Sequence, residues 1–174
     1  WLKELANDGE KLPGLSVHAV MKILDVAATR RKYFFHFNSP DNAEASFYMS
    51  PGNTFSFSLT DIRRETYSID VPIGVSGVPM GVYIYLMCEA ASSSNSSFMR
   101  ISVNRKEVGR REFPFPIDMG NRKWQWTLGA DSQGENNAAF QLAEFVIYSM
   151  SLTRRESKDL YWDLKNRVLS KLDK

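Results

Sequence analysis

Histidine and cysteine are nearly missing from this chain, two of the first and one of the second in 174 residues, and that scarcity excludes much chemistry. The lone Cys88 has no intramolecular disulfide partner and cannot build a cysteine-based zinc site. It lies in an apolar run, reads as a small buried hydrophobe and favours a reducing compartment. His18 and His36 stand in no serine–histidine–aspartate order and no HExxH spacing, so both read as strand histidines rather than catalytic ones. No stretch approaches the eighteen or so apolar residues of a membrane helix, and no signal-peptide pattern opens the chain. Charge of one sign is lacking too, with 22 Lys and Arg against 20 Asp and Glu. The arginines come as scattered pairs (Arg30-Arg31, Arg63-Arg64, Arg110-Arg111, Arg154-Arg155) without the stripe a nucleic acid requires. Neither a nucleic-acid partner nor a membrane span is expected. The start at Trp1 rather than Met reads as a piece of a longer protein, whose other domains are then expected partners.

What the chain has in quantity is strand-forming sequence. Hydrophobic residues make up 43% and aromatics 13%, in short runs separated by turn residues, as in an all-β domain. One domain is expected over 1–174, with 1–12 as a linker or helical turn. Residues 16–27 read as the first strand, and Arg30-Arg31-Lys32 as a hairpin turn after it. In KYFFHF, strict alternation puts Tyr33, Phe35 and Phe37 on one face and Lys32, Phe34 and His36 on the other. Alternation recurs at Phe55, Phe57 and Leu59 and at Tyr67, Ile69 and Val71, so these sheets have one apolar face and one polar face. A strong strand covers 82–88. The AASSSNSS segment at 90–97 reads as a flexible hairpin loop, and its sequon at Asn95 would permit glycosylation in a secreted protein. Trp124 and Trp126 face the same way as Leu128, and burial in the core is expected of both, with a sugar-stacking platform as the alternative. Residues 143–148 are apolar on both faces apart from Glu144, which predicts a central strand covered from both sides.

Thr153-Arg154-Arg155-Glu156 has the spacing of a capping box and predicts a helix over 153–172. Its apolar stripe is Leu160, Leu164, Val168 and Leu172 with Tyr161 alongside; Trp162 and Leu169 fall off that stripe and are candidates for an interface.

The expected fold is therefore an all-β, two-sheet antiparallel sandwich with a C-terminal α-helix. Three segments add a likeness: the strand–turn–strand FMRISVNRKEVG with the strand before it, WTLGADSQGENNAAF at 126–140, and LAEFVIYSMSLTRRE at 142–156. In order and content they resemble the concanavalin A-like lectin/glucanase superfamily, and within it the laminin-G-like jelly rolls. The turn carries Asn104-Arg105 where an Asn-Gly pair is often seen. The resemblance implies a jelly-roll sandwich that is lectin-like, in carbohydrate binding or in protein interaction as a scaffold.

Glycosidases of that superfamily carry Glu-x-Asp-x-x-Glu on one strand, two carboxylates serving as nucleophile and acid. This chain has no such run. Its acidic pairs Asp61/Glu65 and Asp131/Glu135 lie in turn or loop segments, so no enzyme activity is expected. Asp131, Glu135 and Asn137 are the residues a calcium ion could use, but polar loops are solvated for their own sake and no cofactor is expected. Recognition remains. With Val82, Ile84, Leu86, Phe145, Ile147, Trp124 and Trp126 inward, Tyr83, Tyr85, Arg100, Ser102, Gln125 and His36 point out, and tyrosine, arginine and glutamine suit a ligand face. Tyr83, Tyr85, Arg100, Gln125 and His36 are thus the candidate binding residues; the alternative is that they decorate a scaffold face or lie under the terminal helix. The functional expectation is a non-catalytic module for a glycan or protein partner. The alternative is an assembly domain that docks on a neighbouring domain or subunit through its C-terminal helix, with a glycoside hydrolase ranked below both.

Overall fold

The computed structural model describes residues 12–24, 29–52, 54–74, 76–120 and 124–172. The expected N-terminal linker falls outside these residues except for Leu12, as do residues 25–27 of the expected first strand. Among the described residues, ten strands form two antiparallel five-stranded sheets, followed by one short C-terminal helix, the content of a jelly-roll sandwich. They are β1 (Pro13–Ile23), β2 (Lys32–Asn38), β3 (Glu44–Ser50), β4 (Thr54–Thr60), β5 (Thr66–Pro72), β6 (Tyr83–Ser92), β7 (Ser97–Val103), β8 (Lys106–Phe113), β9 (Gln125–Leu128) and β10 (Phe140–Met150). One sheet runs β10-β1-β6-β7-β8 and the other β5-β4-β3-β2-β9. β1 and β2 lie in different sheets, so the basic segment between them is a crossover and not the expected hairpin turn. Each sheet organises one compact unit: residues to Met21, Tyr83–Pro116 and from Leu142 in the first, Lys22–Val82 and Ile117–Gln141 in the second.

In the second unit, antiparallel register sorts the side chains by face. Rows of directly paired residues, Phe35–Phe47–Phe57–Ile69 and Phe37–Ala45–Leu59–Tyr67, lie on one side with Met49, Phe55 and Val71. All are buried. The rings of Phe35 and Phe47 stack with centroids 5.4 Å apart and those of Phe47 and Phe55 at 5.6 Å, adding aromatic contact to burial. A β-bulge between Tyr33 and Phe35 corrects the strict alternation expected for KYFFHF. The extra residue lets Phe34 and Phe35 both join the apolar side, Phe34 meeting Phe47, Phe55 and Phe140. Tyr33 is thereby moved to the polar side with His36.

In the first unit, β1 and β6 are buried almost throughout. Leu15, Val17, Ala19 and Met21 line one face of β1; on the other, Val20 joins Tyr85 and Met87 of β6 beneath Tyr161, Leu164 and Leu169 of the C-terminal helical segment. At the start of β1, a Cβ on Gly14 would sit 2.2 Å from the Ala90 carbonyl oxygen, so no larger residue fits this close approach. The double-covered strands are thus β1 and β6. β10, expected to be central, is an edge strand paired with β1 alone, and its side chains are half-buried or exposed. A residue apolar on both sides does not distinguish a central strand from an edge strand that is half-covered on each face.

The helix begins as the capping box predicts: the Thr153 hydroxyl accepts from the Glu156 amide at 3.2 Å, and the Glu156 carboxylate accepts from the Thr153 amide at 3.1 Å. α1 (Arg154–Leu164) then passes into a π-helical turn (Lys165–Leu169) and a last α-helical turn (Ser170–Leu172). The wider turn shifts the phase of the stripe by one residue. Leu169, expected off it, is buried, and Leu172, expected on it, is exposed.

Candidate functional site

The polar face of the second sheet is read from the same register. One row across it is Thr127–His36–Ser46–Ser58–Ser68, the next is Tyr33–Tyr48–Ser56–Asp70, and a third holds Gln125, Asn38, Glu44, Thr60 and Thr66. The sequence builds it by placing hydroxyls and amides between the apolar residues of every strand. The bulge completes it, bringing the Tyr33 ring 5.7 Å from His36 and 5.2 Å from Tyr48 between centroids.

Charges and hydrogen bonds order this face. The Arg31 guanidinium lies 4.9 Å over the Tyr48 ring. A side-chain hydrogen bond with Tyr33 and the nearby Asp70 carboxylate favour its charged form against partial burial. Asp70 accepts from the Ser56 hydroxyl at 2.5 Å, and Ser56 is 2.8 Å from Ser50. His36 is buried, with Nε2 2.7 Å from Asn38 Oδ1. Because that oxygen only accepts, Nε2 carries a hydrogen, and in the neutral imidazole Nδ1 then presents a lone pair. Nδ1 is itself buried and has no hydrogen-bond partner among the described residues.

The expected binding residues divide between the sheets. His36 and Gln125 share the polar face just described, on the neighbouring strands β2 and β9. Tyr83, Tyr85 and Arg100 belong to the other sheet. Tyr85 is only 2% exposed: its hydroxyl is 2.6 Å from His18 Nδ1 and its ring 5.1 Å from Tyr161 of α1, so the terminal helix takes the face on which it was expected to be open. Tyr83 packs against the same cluster. Arg100 pairs with the fully buried Glu89, whose second oxygen accepts from the Leu152 amide at 3.1 Å. Ser102 is buried beside them.

Of the expected inward residues, Ile84 and Leu86 are buried and Phe145 and Ile147 half-buried. Val82 is 53% exposed because it precedes β6. Trp126 keeps the apolar-side register, opposite Phe37, yet is 56% exposed, since the four-residue β9 is an edge strand. Trp124 is half-buried, and its Nε1 lacks a hydrogen-bond partner among the described residues. Leu169 is buried within its own unit and so is unavailable as the expected interface residue, whereas Trp162 is 40% exposed.

The acidic pairs at spacing four have one explanation. In both, the first aspartate Oδ1 accepts from the amides two and four residues on: Arg63 and Glu65 for Asp61, Gln133 and Glu135 for Asp131. The aspartate amide donates to the glutamate carbonyl, and the fourth residue, Arg64 or Gly134, has a positive φ and donates to the aspartate carbonyl. These are two copies of one five-residue loop. Asp131 Oδ2 also accepts from the Asn136 amide at 2.7 Å, which holds its carboxyl below the ordinary value, and Asn137 with its amide nitrogen turned inward meets the Gly134 and Glu135 carbonyls at 3.2 Å. The Asp131 carboxylate and the Asn137 amide are thus engaged within the loop, to which Glu135 contributes its backbone amide and carbonyl. Among the described residues no three His, Cys, Asp or Glu side chains converge as metal ligands. The AASSSNSS loop is likewise a tight turn at Ser93–Ser96, where the Ser93 hydroxyl accepts from the Ser96 amide at 3.1 Å and donates to the Ser96 carbonyl at 3.0 Å, rather than the flexible loop expected.

Neither a protein-family model nor a curated protein sequence matches the chain. Solved structures of similar fold include a native heptameric SAP-like pentraxin from Limulus polyphemus, 15% identical over 87% of this chain and 70% of that one, with a TM-score of 0.57. The binding domain of botulinum neurotoxin DC in complex with SialylT is 14% identical over 87% of this chain and 36% of that one, at 0.61. Tailspike protein 2 from Escherichia coli O157:H7 bacteriophage CAB120 is 16% identical over 87% of this chain and 22% of that one, at 0.57. The chain thus spans little more than a third of the neurotoxin domain and under a quarter of the tailspike. At these identities the likeness establishes the jelly-roll fold.

Proposed function

We propose that this domain is a non-catalytic module that binds a glycan on the polar face of β2–β5 and β9. The observation that carries the reading is His36 Nδ1, a buried acceptor without a donor among the described residues, beside the Tyr33 ring and the hydroxyl rows. Leaving such a group unmet costs about 1–3 kcal/mol, and a ligand hydroxyl admitted by a shift of the side chains that cover it would meet it. The half-buried Tyr33 ring offers surface against which a sugar packs, with the buried Tyr48 behind it under Arg31; Arg31, Asp70 and Gln125 offer directional bonds around it. The neurotoxin DC domain is described in complex with SialylT, which supports a glycan over a protein as the ligand class. The loop roles of both acidic pairs support binding over hydrolysis.

On a glycan array, the wild-type domain should bind, and Tyr33→Ala, His36→Gln and Arg31→Ala should each weaken binding tenfold or more while the melting temperature stays within a few degrees. Unchanged binding in all three would remove the site from this face. The assembly reading keeps one observation in its favour, the exposure of Trp162, and sedimentation of Trp162→Ala against wild type tests it.

A further inference from the structure

The surface around Trp162 holds an arrangement that the fold does not require. The Arg105 guanidinium lies 5.5 Å from the Tyr161 ring centroid and 5.9 Å from that of Trp162. The Lys165 ammonium lies 6.0 and 4.8 Å from the same two rings, which meet edge to face at 5.3 Å. Two cations therefore converge on one aromatic pair, and neither forms an ion pair among the described residues. Carboxylates nearby in sequence are engaged elsewhere: Asp163 with Arg167 at 3.4 Å, Asp159 with Arg155 at 3.8 Å and Glu107 with Arg110 at 3.6 Å.

The backbone gives an independent observation. The turn between β7 and β8 has φ of 50° at Asn104 and 72° at Arg105, both left-handed, where Asn-Gly is the sequence that fits. Asn104 has a structural reason to be there: its amide donates to the Tyr85 carbonyl at 2.8 Å, and its Oδ1 accepts from the Tyr85 amide at 2.9 Å. Arg105 has none of this kind. It occupies a strained position that glycine would fill without strain, and what it gains is a guanidinium over Tyr161 and Trp162. Arg64 keeps a similar φ of 66° with no such partner, so strain alone does not mark a function; at Arg105 it coincides with the cation–aromatic arrangement and motivates a functional reading. Lys165, on the other side of the arrangement, opens the π-helical turn, a local form that recurs at functional sites.

We infer that Arg105, Trp162 and Lys165 form a second site, which takes the acidic group of a sugar, a carboxylate or sulfate carried on a pyranose ring. The inference rests on the reading that the domain binds glycans and adds the class of glycan. Two uncompensated cations call for an oxyanion, which the planar guanidinium fork accepts in bidentate fashion. The exposed part of the indole supplies apolar surface for the ring that carries it. A lipid bilayer fits less well: Tyr161, Leu164 and Leu169 are packed on Val20, Tyr85 and Met87 and cannot insert, while Asp159 and Asp163 are exposed on the helix. A protein partner would find one aromatic where a stable interface needs over about 1,000 Å², because Leu169 is buried.

The test compares wild type, Arg105→Gly, Lys165→Gln and Trp162→Ala on an array of acidic glycans with their carboxyl-reduced or desulfated counterparts, and on phosphatidylserine vesicles. Wild type should prefer the acidic member of each pair at least tenfold, and the preference should fall with added salt. Arg105→Gly should abolish the preference while its melting temperature is unchanged or raised, an outcome that a merely structural arginine would not give. Lys165→Gln should reduce the preference in the same way. An equal response to acidic and neutral glycans in wild type, or a preference surviving all three substitutions, overturns the inference. So does Arg105-dependent binding to vesicles without binding to acidic glycans. Tyr33→Ala separates the two readings: neutral-glycan binding that survives it removes the polar face as the glycan site, and loss of the acid preference in Arg105→Gly would still place the second site.

Discussion

His18 should make this domain lose stability in mild acid, by an amount its surroundings allow to be worked out. Its imidazole is fully buried on β1 beneath the terminal helix, with Nε2 2.8 Å from the Ser16 hydroxyl and Nδ1 2.6 Å from the Tyr85 hydroxyl. Tyr148 packs edge-on against it at 5.7 Å. Burial first, and the Arg100 guanidinium second, hold its pKa down to about 3 from an ordinary 6.5. The folded protein therefore keeps His18 neutral while the unfolded chain takes up a proton below pH 6.5, so stability falls as pH drops through the window from 6.5 towards 3. At about 1.4 kcal/mol per pH unit, the loss between pH 8 and pH 5 is about 2 kcal/mol, a substantial part of a stability that for a domain of this size is about 5–15 kcal/mol. Glu89 acts in the opposite sense: burial raises its carboxyl against the pull of Arg100 and the Leu152 amide, so the fold gains stability as pH falls through that raised value. The measurement must therefore be a difference. Urea denaturation of wild type and His18→Gln at pH 8, 7, 6 and 5 should show two curves that diverge at high pH and converge by about 2 kcal/mol towards pH 5. Parallel curves would refute the argument, whatever the offset between them.

Substitutions elsewhere test the remaining packing and loop readings. Tyr85→Ala should cost about 3–5 kcal/mol by opening a cavity beneath α1 and orphaning His18 Nδ1, seen as a lower denaturation midpoint. Arg100→Ala should cost about 3–5 kcal/mol at neutral pH by stranding Glu89, and adding Glu89→Gln should recover part of that loss. Arg64→Gly should raise stability by roughly 0.5–1 kcal/mol because φ is 66° there, whereas Gly134→Ala at the equivalent place in the second loop should lower it by roughly 1–2 kcal/mol, although a Cβ has open space around it.

The sequence is legible where serine and threonine mark the polar face of a strand, and illegible where aromatic residues alternate with aliphatic ones. β4 and β5 alternate serine and threonine with apolar residues, and each such residue lies on the side expected of it. On β6 the same alternation of Tyr83 and Tyr85 with Ile84 and Leu86 is present, but the helix covers the tyrosine side, and a tyrosine under a helix has the same spacing as a tyrosine facing a ligand. The capping box fixed where that helix starts, since the signal is local. Its buried stripe was readable only as far as Leu164, because the π-helical turn that follows inserts one residue of phase for which 3.6-residue periodicity has no sign. Edges were hidden for a related reason. Sheet order is set by pairings far apart in sequence, so neither the exposure of Trp126 on β9 nor the outer position of β10 is written in either strand's own residues.

The candidate polar face shows the same division at closer range. His36 and Gln125 read as outward polar residues on separate strands, and the β2–β9 pairing brings them to one face. Tyr33, which joins the histidine to the hydroxyl rows, lies on the side opposite to the one strict alternation predicts, because the bulge shifts it by one residue. The doublet Phe34-Phe35 was the available signal. Two consecutive bulky apolar residues in an alternating strand must either expose one ring or bulge so that both are buried, and burying a phenylalanine side chain is worth about 1.5–3 kcal/mol, more than a locally disrupted ladder costs at a bond or so. The bulge is then the cheaper state, and with it the flanking pair Tyr33 and His36 must fall on the same side. The aromatic wall of the proposed glycan site follows from how the core resolves that doublet.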